Sequence, residues 1–166
     1  MANPTLVSAN TNGANISSGT SVTVTSTGSV NASDLMIVVL TVGGASAPSG
    51  LTAPAGWSTA LATTACGASA TQVAAIFYRV QPTTGAFSGS FSWTTTATRG
   101  NWTFFQFTSQ GINSLDGAVV QTQNAAGTVT SPSITPGAGN INDELVCCYL
   151  PGTAVASTIT SPSGMT

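Results

Sequence analysis

The chain has 166 residues, of which two are Lys or Arg and four are Asp or Glu, with no histidine at all. Average soluble proteins are about a quarter charged, whereas here charged residues make up 4% against 42% hydrophobic. That balance excludes a disordered chain, which pairs low hydrophobicity with high charge, and it leaves Asp34, Arg79, Arg99, Asp116, Asp143 and Glu144 as the whole ionisable repertoire apart from thiols, tyrosines and termini.

In chain order, Asn3 to Ser18 is polar and rich in Asn and Gly, and reads as an N-terminal arm occupying residues 1–18. Ser21 to Thr27 alternates as SVTVTST, the two-residue period of a half-buried strand. Asp34 to Val42, DLMIVVLTV, is apolar at nearly every position and predicts a strand covered on both faces. Thr71 to Val80 continues the set, as does Phe87 to Thr95, with Phe87, Phe91 and Trp93 on one face. In Asn101 to Thr108, Trp102 shares a face with Phe104 while Phe105 and Phe107 point the other way. Ala118 to Gln123, Thr128 to Thr135, Asp143 to Leu150 and Ser157 to Thr160 complete the series.

These runs are β-branched and aromatic, are bounded by Gly, Pro, Asn and Ser, and leave no stretch of helical period. About nine short strands with regular turn signals predict an all-β fold, an antiparallel β-sandwich of jelly-roll type. A domain of ~100 to 150 residues is the usual unit, so residues 19–166 are expected to form a single domain. A partial repeat lies inside it. DLMIVVL from Asp34 precedes LTAPAGW ending at Trp57, and ELVCCYL from Glu144 precedes ITSPSGM ending at Met165.

A formal charge of −2 gives copies little reason to repel, and near-neutral surfaces associate. A stable oligomer is the expectation. MANPTLVSANTNGAN has neither the basic start nor the apolar run of a secretory leader, and no segment approaches the ~18 apolar residues of a membrane span. The expectation is a protein made in a host cytoplasm, without a membrane partner. Cys147 and Cys148 are neighbours on a predicted strand and point to opposite faces. With Cys66 they form no framework for a disulfide or a zinc ion and read as small apolar residues.

A Ser-His-Asp or Cys-His arrangement needs a histidine and a Ser-Lys dyad needs a lysine, and the chain has neither. Paired carboxylates for glycoside hydrolysis have four candidates, of which Asp34 and Glu144 open strands while Asp116 and Asp143 lie at turns. Asn142-Asp143-Glu144 is short of the six to eight oxygens that calcium takes. No enzyme, cofactor or metal site is expected. Two arginines are too few for a nucleic-acid backbone, so Arg79 and Arg99 are expected to pair with a carboxylate or a neighbouring subunit. Trp57, after Pro-Ala-Gly at a turn, is the best exposed candidate among the tryptophans for a ligand such as a sugar, with packing weighed ahead of binding. The Thr-rich runs also raise an ice-binding surface, against which Thr94-Thr95-Thr96 is read as breaking the alternation of a ladder.

The order of these elements resembles a β-sandwich module of tailed-phage virion proteins, found in capsid decoration or cement proteins and in tail-fibre-like proteins. The likeness is carried by Ala53-Pro54-Ala55-Gly56-Trp57, Phe77-Tyr78-Arg79-Val80, Phe91-Ser92-Trp93 and Ile159 to Met165, over Ser21 to Thr166, with Met165 where the first copy has Trp57. It implies a structural virion protein on the capsid exterior, whose partners are the major capsid protein and further copies of itself, as a homotrimer or another symmetric cluster. Two alternatives stand beside it: a receptor- or glycan-binding module of a tail fibre, and a self-polymerising extracellular filament subunit.

Overall fold

The computed structural model describes residues 5–10, 16, 18–66 and 71–108. Within them lie seven strands and no helix: β1 (Thr5–Asn10), β2 (Gly19–Val30), β3 (Leu35–Gly43), β4 (Ser58–Ala65), β5 (Gln72–Val80), β6 (Gly85–Ala97) and β7 (Arg99–Thr108). The described part of the chain is all-β, and every strand pairing within it is antiparallel. One sheet has the order β1-β7-β3-β5-β4, and a second pairs β2 with β6. The predicted strands after Thr108, with Asp116, Asp143, Glu144, Cys147, Cys148 and the Ile159 to Met165 motif, fall outside the described residues.

β3 is the middle strand of the large sheet because its sequence is apolar on both sides. Met36, Val38, Leu40 and Val42 face the core, fully buried. Val38 lies between Phe77 and Phe104, and Leu40 between Ala75 and Trp102. On the opposite face Val39 is also buried. β2 shows the other pattern, with Val22 and Val24 turned inward and Ser21, Thr23 and Thr25 exposed. Val24, Val30, Phe87, Phe91, Trp93 and Ala97 of the small sheet join the core residues of the large sheet in one cluster. The two sheets therefore share a single interior.

The chain crosses between sheets at tight corners. From β2 to β3 it turns over Asn31–Asp34, where Ser33 takes φ 70°, and the amides of Ser33 and Gln81 bond the carbonyls of Gln81 and Asp34. From β6 to β7 only Thr98 intervenes, its amide held by the carbonyl of Gly43 at 2.8 Å. The long β3–β4 connection runs beside β6. Thr52 and Ser92 exchange backbone hydrogen bonds at 2.9 and 3.0 Å and Thr94 donates to Ser49, which adds a third row to the small sheet.

Two strands differ from the sequence reading. Residues 5–10, expected within an arm, form β1 on the edge of the large sheet beside β7. Ser58–Ala65, STALATTA, forms the opposite edge as β4, with two register irregularities against β5. Neither carries the alternating or continuous apolar pattern that marks a strand, because edge strands bury less side-chain surface than central ones.

Candidate functional site

Five aromatic rings pack between the two sheets, and three of them, Trp57, Phe77 and Phe91, come from the motifs that carry the resemblance. Trp57 packs on Phe87 with ring centroids 5.1 Å apart and edge-on to Phe91 at 5.4 Å. Phe91 in turn meets Phe77 at 5.5 Å, and Phe87 stacks on Phe104 at 6.0 Å. Offset and edge-to-face pairs at these separations are favourable beyond their buried area. Trp57 is thus partly buried against the core, and it is still the most open of the three tryptophans, since Trp93 and Trp102 are buried. Its Nε1 is buried without a hydrogen-bond partner among the described residues, as is that of Trp102. Trp93 is buried and donates from Nε1 to the carbonyl of Gly19 at 3.0 Å.

Gly89 makes this cluster possible. A Cβ there would lie 2.6 Å from Cζ of Phe87 and 2.9 Å from Cγ of Pro54. Gly56 takes φ +85°, a conformation that favours glycine, and the Arg79 guanidinium lies beside it, 3.6 Å from where a Cβ would be. Arg99 is exposed and donates from Nη2 to the Thr71 hydroxyl at 2.9 Å. The structure does not bring Trp57, Arg79 and Arg99 into one site. The only carboxylate among the described residues, Asp34, bonds an amide side chain, so neither arginine has the expected carboxylate partner there. Cys66 is a free, half-buried thiol whose pKa burial pushes up.

Asp34 is 5% exposed and Gln106 4%. Gln106 donates from Nε2 to Asp34 Oδ2 at 2.7 Å, and the same oxygen accepts the Asn31 amide at 3.1 Å. The amide oxygen of Gln106 accepts the Ser8 hydroxyl of β1 at 3.3 Å. Sequence reading gave Gln106 no role. Its signal is present in the chain all the same: a lone amide in phase with Trp102 and Phe104 on an aromatic strand must find a buried partner.

The solvent side of the small sheet is chemically uniform. Ser21, Thr23 and Thr25 of β2 stand opposite Ser92, Ser90 and Ser88 of β6, and all are exposed. The row beside β6 extends it, with Thr52 Oγ1 2.9 Å from Ser92 Oγ and Ser49 Oγ 2.6 Å from Thr94 Oγ1. Thr94-Thr95-Thr96 does not break this array, since Thr94 and Thr96 are exposed and Thr95 between them turns inward. The face carries hydroxyls and methyls and no charge. It can make many weak, uncharged contacts, and it holds no group able to move a proton near neutral pH.

Among the described residues no three His, Cys, Asp or Glu side chains converge as metal ligands. Compared with known proteins, the chain matches no family model, no curated sequence and no solved structure.

Proposed function

We propose that this protein is a structural component of a tailed-phage virion, a capsid decoration or cement protein on the head exterior. In this reading the two sheets belong to a jelly-roll-like β-sandwich of about nine strands. Copies associate with one another and bridge neighbouring major capsid subunits. The observation that carries the reading is the uncharged hydroxyl face built from Ser21, Thr23 and Thr25 against Ser92, Ser90 and Ser88, in a chain nearly devoid of ionisable groups. Such a face suits broad contact with another protein surface better than capture of a charged ligand.

The mechanism is linkage. A protein that binds the assembled shell and not its free subunits shifts the equilibrium toward the shell by mass action. Uncharged contacts are barely screened by salt, in contrast to exposed ion pairs. A tail-fibre glycan site would use Trp57 at an open surface, whereas its ring lies against Phe87 and Phe91, so the decoration reading is preferred.

The test is reconstitution. Heads lacking the protein are mixed with purified protein, sedimented, and heated. Saturable binding at a copy number set by the capsid lattice, with a raised disruption temperature, supports the proposal. Binding only to tails, or none to heads, refutes it.

A further inference from the structure

We propose that β1 is an exchangeable strand, and that copies of this chain associate by placing Thr5–Asn10 of one molecule on the β7 edge of another. The proposal rests on the self-association argued above and gives it a contact.

The site for the strand is fully specified. β7 receives the segment in antiparallel register from Thr5 opposite Thr108 to Asn10 opposite Phe104, with a bulge between Leu6 and Ser8. Side chains fix that register: the Thr5 amide donates to Thr108 Oγ1 at 3.1 Å, Thr108 Oγ1 returns a bond to the Thr5 carbonyl, and Ser8 bonds Gln106. A second copy presents the same six residues and satisfies the same partners.

β1 is held to its own molecule chiefly through β7. Among the described residues no β1 side chain belongs to the common core, whose first described member along the chain is Ile16. Leu6 and Val7 are 51% and 50% exposed, the large hydrophobic side chains left exposed among the described residues. The segment carries none of the charges or prolines with which proteins blunt an edge strand. Exchange keeps every contact of the closed form, so the balance is set by effective concentration and by the connection.

That connection limits the geometry. Asn10 sits opposite Phe104 while the Ile16 amide bonds Gly100, four residues along β7, or roughly 13 Å at the rise of a strand. The six steps from Asn10 to Ile16 span at most about 20 Å. Exchange is therefore confined to copies whose β7 edges lie side by side, which favours a compact closed cluster over a beaded chain.

The test uses full-length protein with Cys66, Cys147 and Cys148 changed to serine. Thr5→Cys and Thr108→Cys variants are prepared separately, unfolded together, refolded as a mixture, and treated with a short bis-maleimide. A cross-linked heterodimer is expected on denaturing gels. In parallel, Leu6→Pro with Val7→Pro removes two successive strand amides, of which one must face β7. The oligomer is expected to fall to monomer mass in light scattering while the melting transition persists. An oligomer that yields no heterodimer, although a chain bearing both cysteines cross-links internally, overturns the exchange and leaves self-association standing. An oligomer whose mass survives the double proline change overturns it equally. A wild-type chain that stays monomeric at all concentrations overturns both.

Discussion

Gln106 donates its amide to the buried carboxylate of Asp34 at 2.7 Å, and this bond ties the β2–β3 corner to the far end of β7. Because the amide nitrogen is committed to Asp34, its oxygen is left to accept from Ser8, so one carboxylate orients a contact on a third strand. Replacing Gln106 by alanine strips a donor from a buried acceptor. An unsatisfied buried group costs about 1–3 kcal/mol, more when it is charged. Urea unfolding of Gln106→Ala is expected to show a loss at the upper end of that range, and Asp34→Asn a smaller one. A Gln106→Ala protein as stable as wild type contradicts the role given to this pair.

Gly89 predicts a steric effect. The Cβ of Gly89→Ala would meet Phe87 and Pro54 at distances no real Cβ shows, which forces the Phe87 ring away from Trp57 and Phe104. Overpacking of this kind costs typically 1–3 kcal/mol. Trp57→Ala removes the ring that bridges Phe87 and Phe91, and large aromatic truncations cost about 3–5 kcal/mol when fully buried. Trp57 is only partly buried, so a value near 3 kcal/mol or below is expected. Thermal melts of both variants check the order, with Trp57→Ala the more damaging.

How far the fold is legible from sequence follows from where apolar residues are forced to appear. β3 is central, so every position meets a neighbour, and DLMIVVLTV announces it. β7 declares its two faces through Trp102 and Phe104 against Phe105 and Phe107, and the latter pair stacks on the side away from the core at 6.5 Å. β1 and β4 are the end strands of the large sheet among the described residues and have no such obligation, so neither TLVSAN nor STALATTA shows a strand pattern. Trp57, after a Pro-Ala-Gly turn, is the most open of the three tryptophans, yet its ring packs against the core. A turn fixes backbone direction and says nothing of Phe87 and Phe91, which arrive from a strand thirty residues on and fill the space beside it. The pairing of Asp34 with Gln106 is equally non-local, and only the phase of Gln106 hints at it.

The hydroxyl face predicts a separation of stability from attachment. Thr23 and Ser90 are directly opposed and exposed, and surface substitutions away from special features change stability by about ±0.5 kcal/mol or less. Thr23→Glu with Ser90→Glu should therefore lose little stability, at most the roughly 1 kcal/mol scale of a directly opposed cross-strand pair, while the same two charges on the contact surface weaken binding to heads. Wild-type attachment should change little between low and moderate salt. Wild-type-like attachment of the double variant would remove this face from the proposed contact, and wild-type protein stripped by moderate salt would point to ion pairs instead.

Cys66 gives a prediction with a definite sign in pH. Burial disfavours its thiolate, so the pKa in the folded protein lies above the ordinary thiol value. The folded state then holds its proton to higher pH than the unfolded chain, and the stability this difference supplies is present below the unfolded pKa and lost as pH rises through the folded one. The thiolate is also the nucleophile. In a Cys147→Ser, Cys148→Ser background, alkylation of Cys66 by iodoacetamide in native buffer should be slower than in urea at the same pH. Its rate should begin to climb only at a pH above that of the unfolded chain. Cys66→Ser should flatten the alkaline fall in stability over that window. Native and unfolded rates that coincide across the titration would mean that Cys66 is as open as a free thiol, which contradicts its half-buried place after β4.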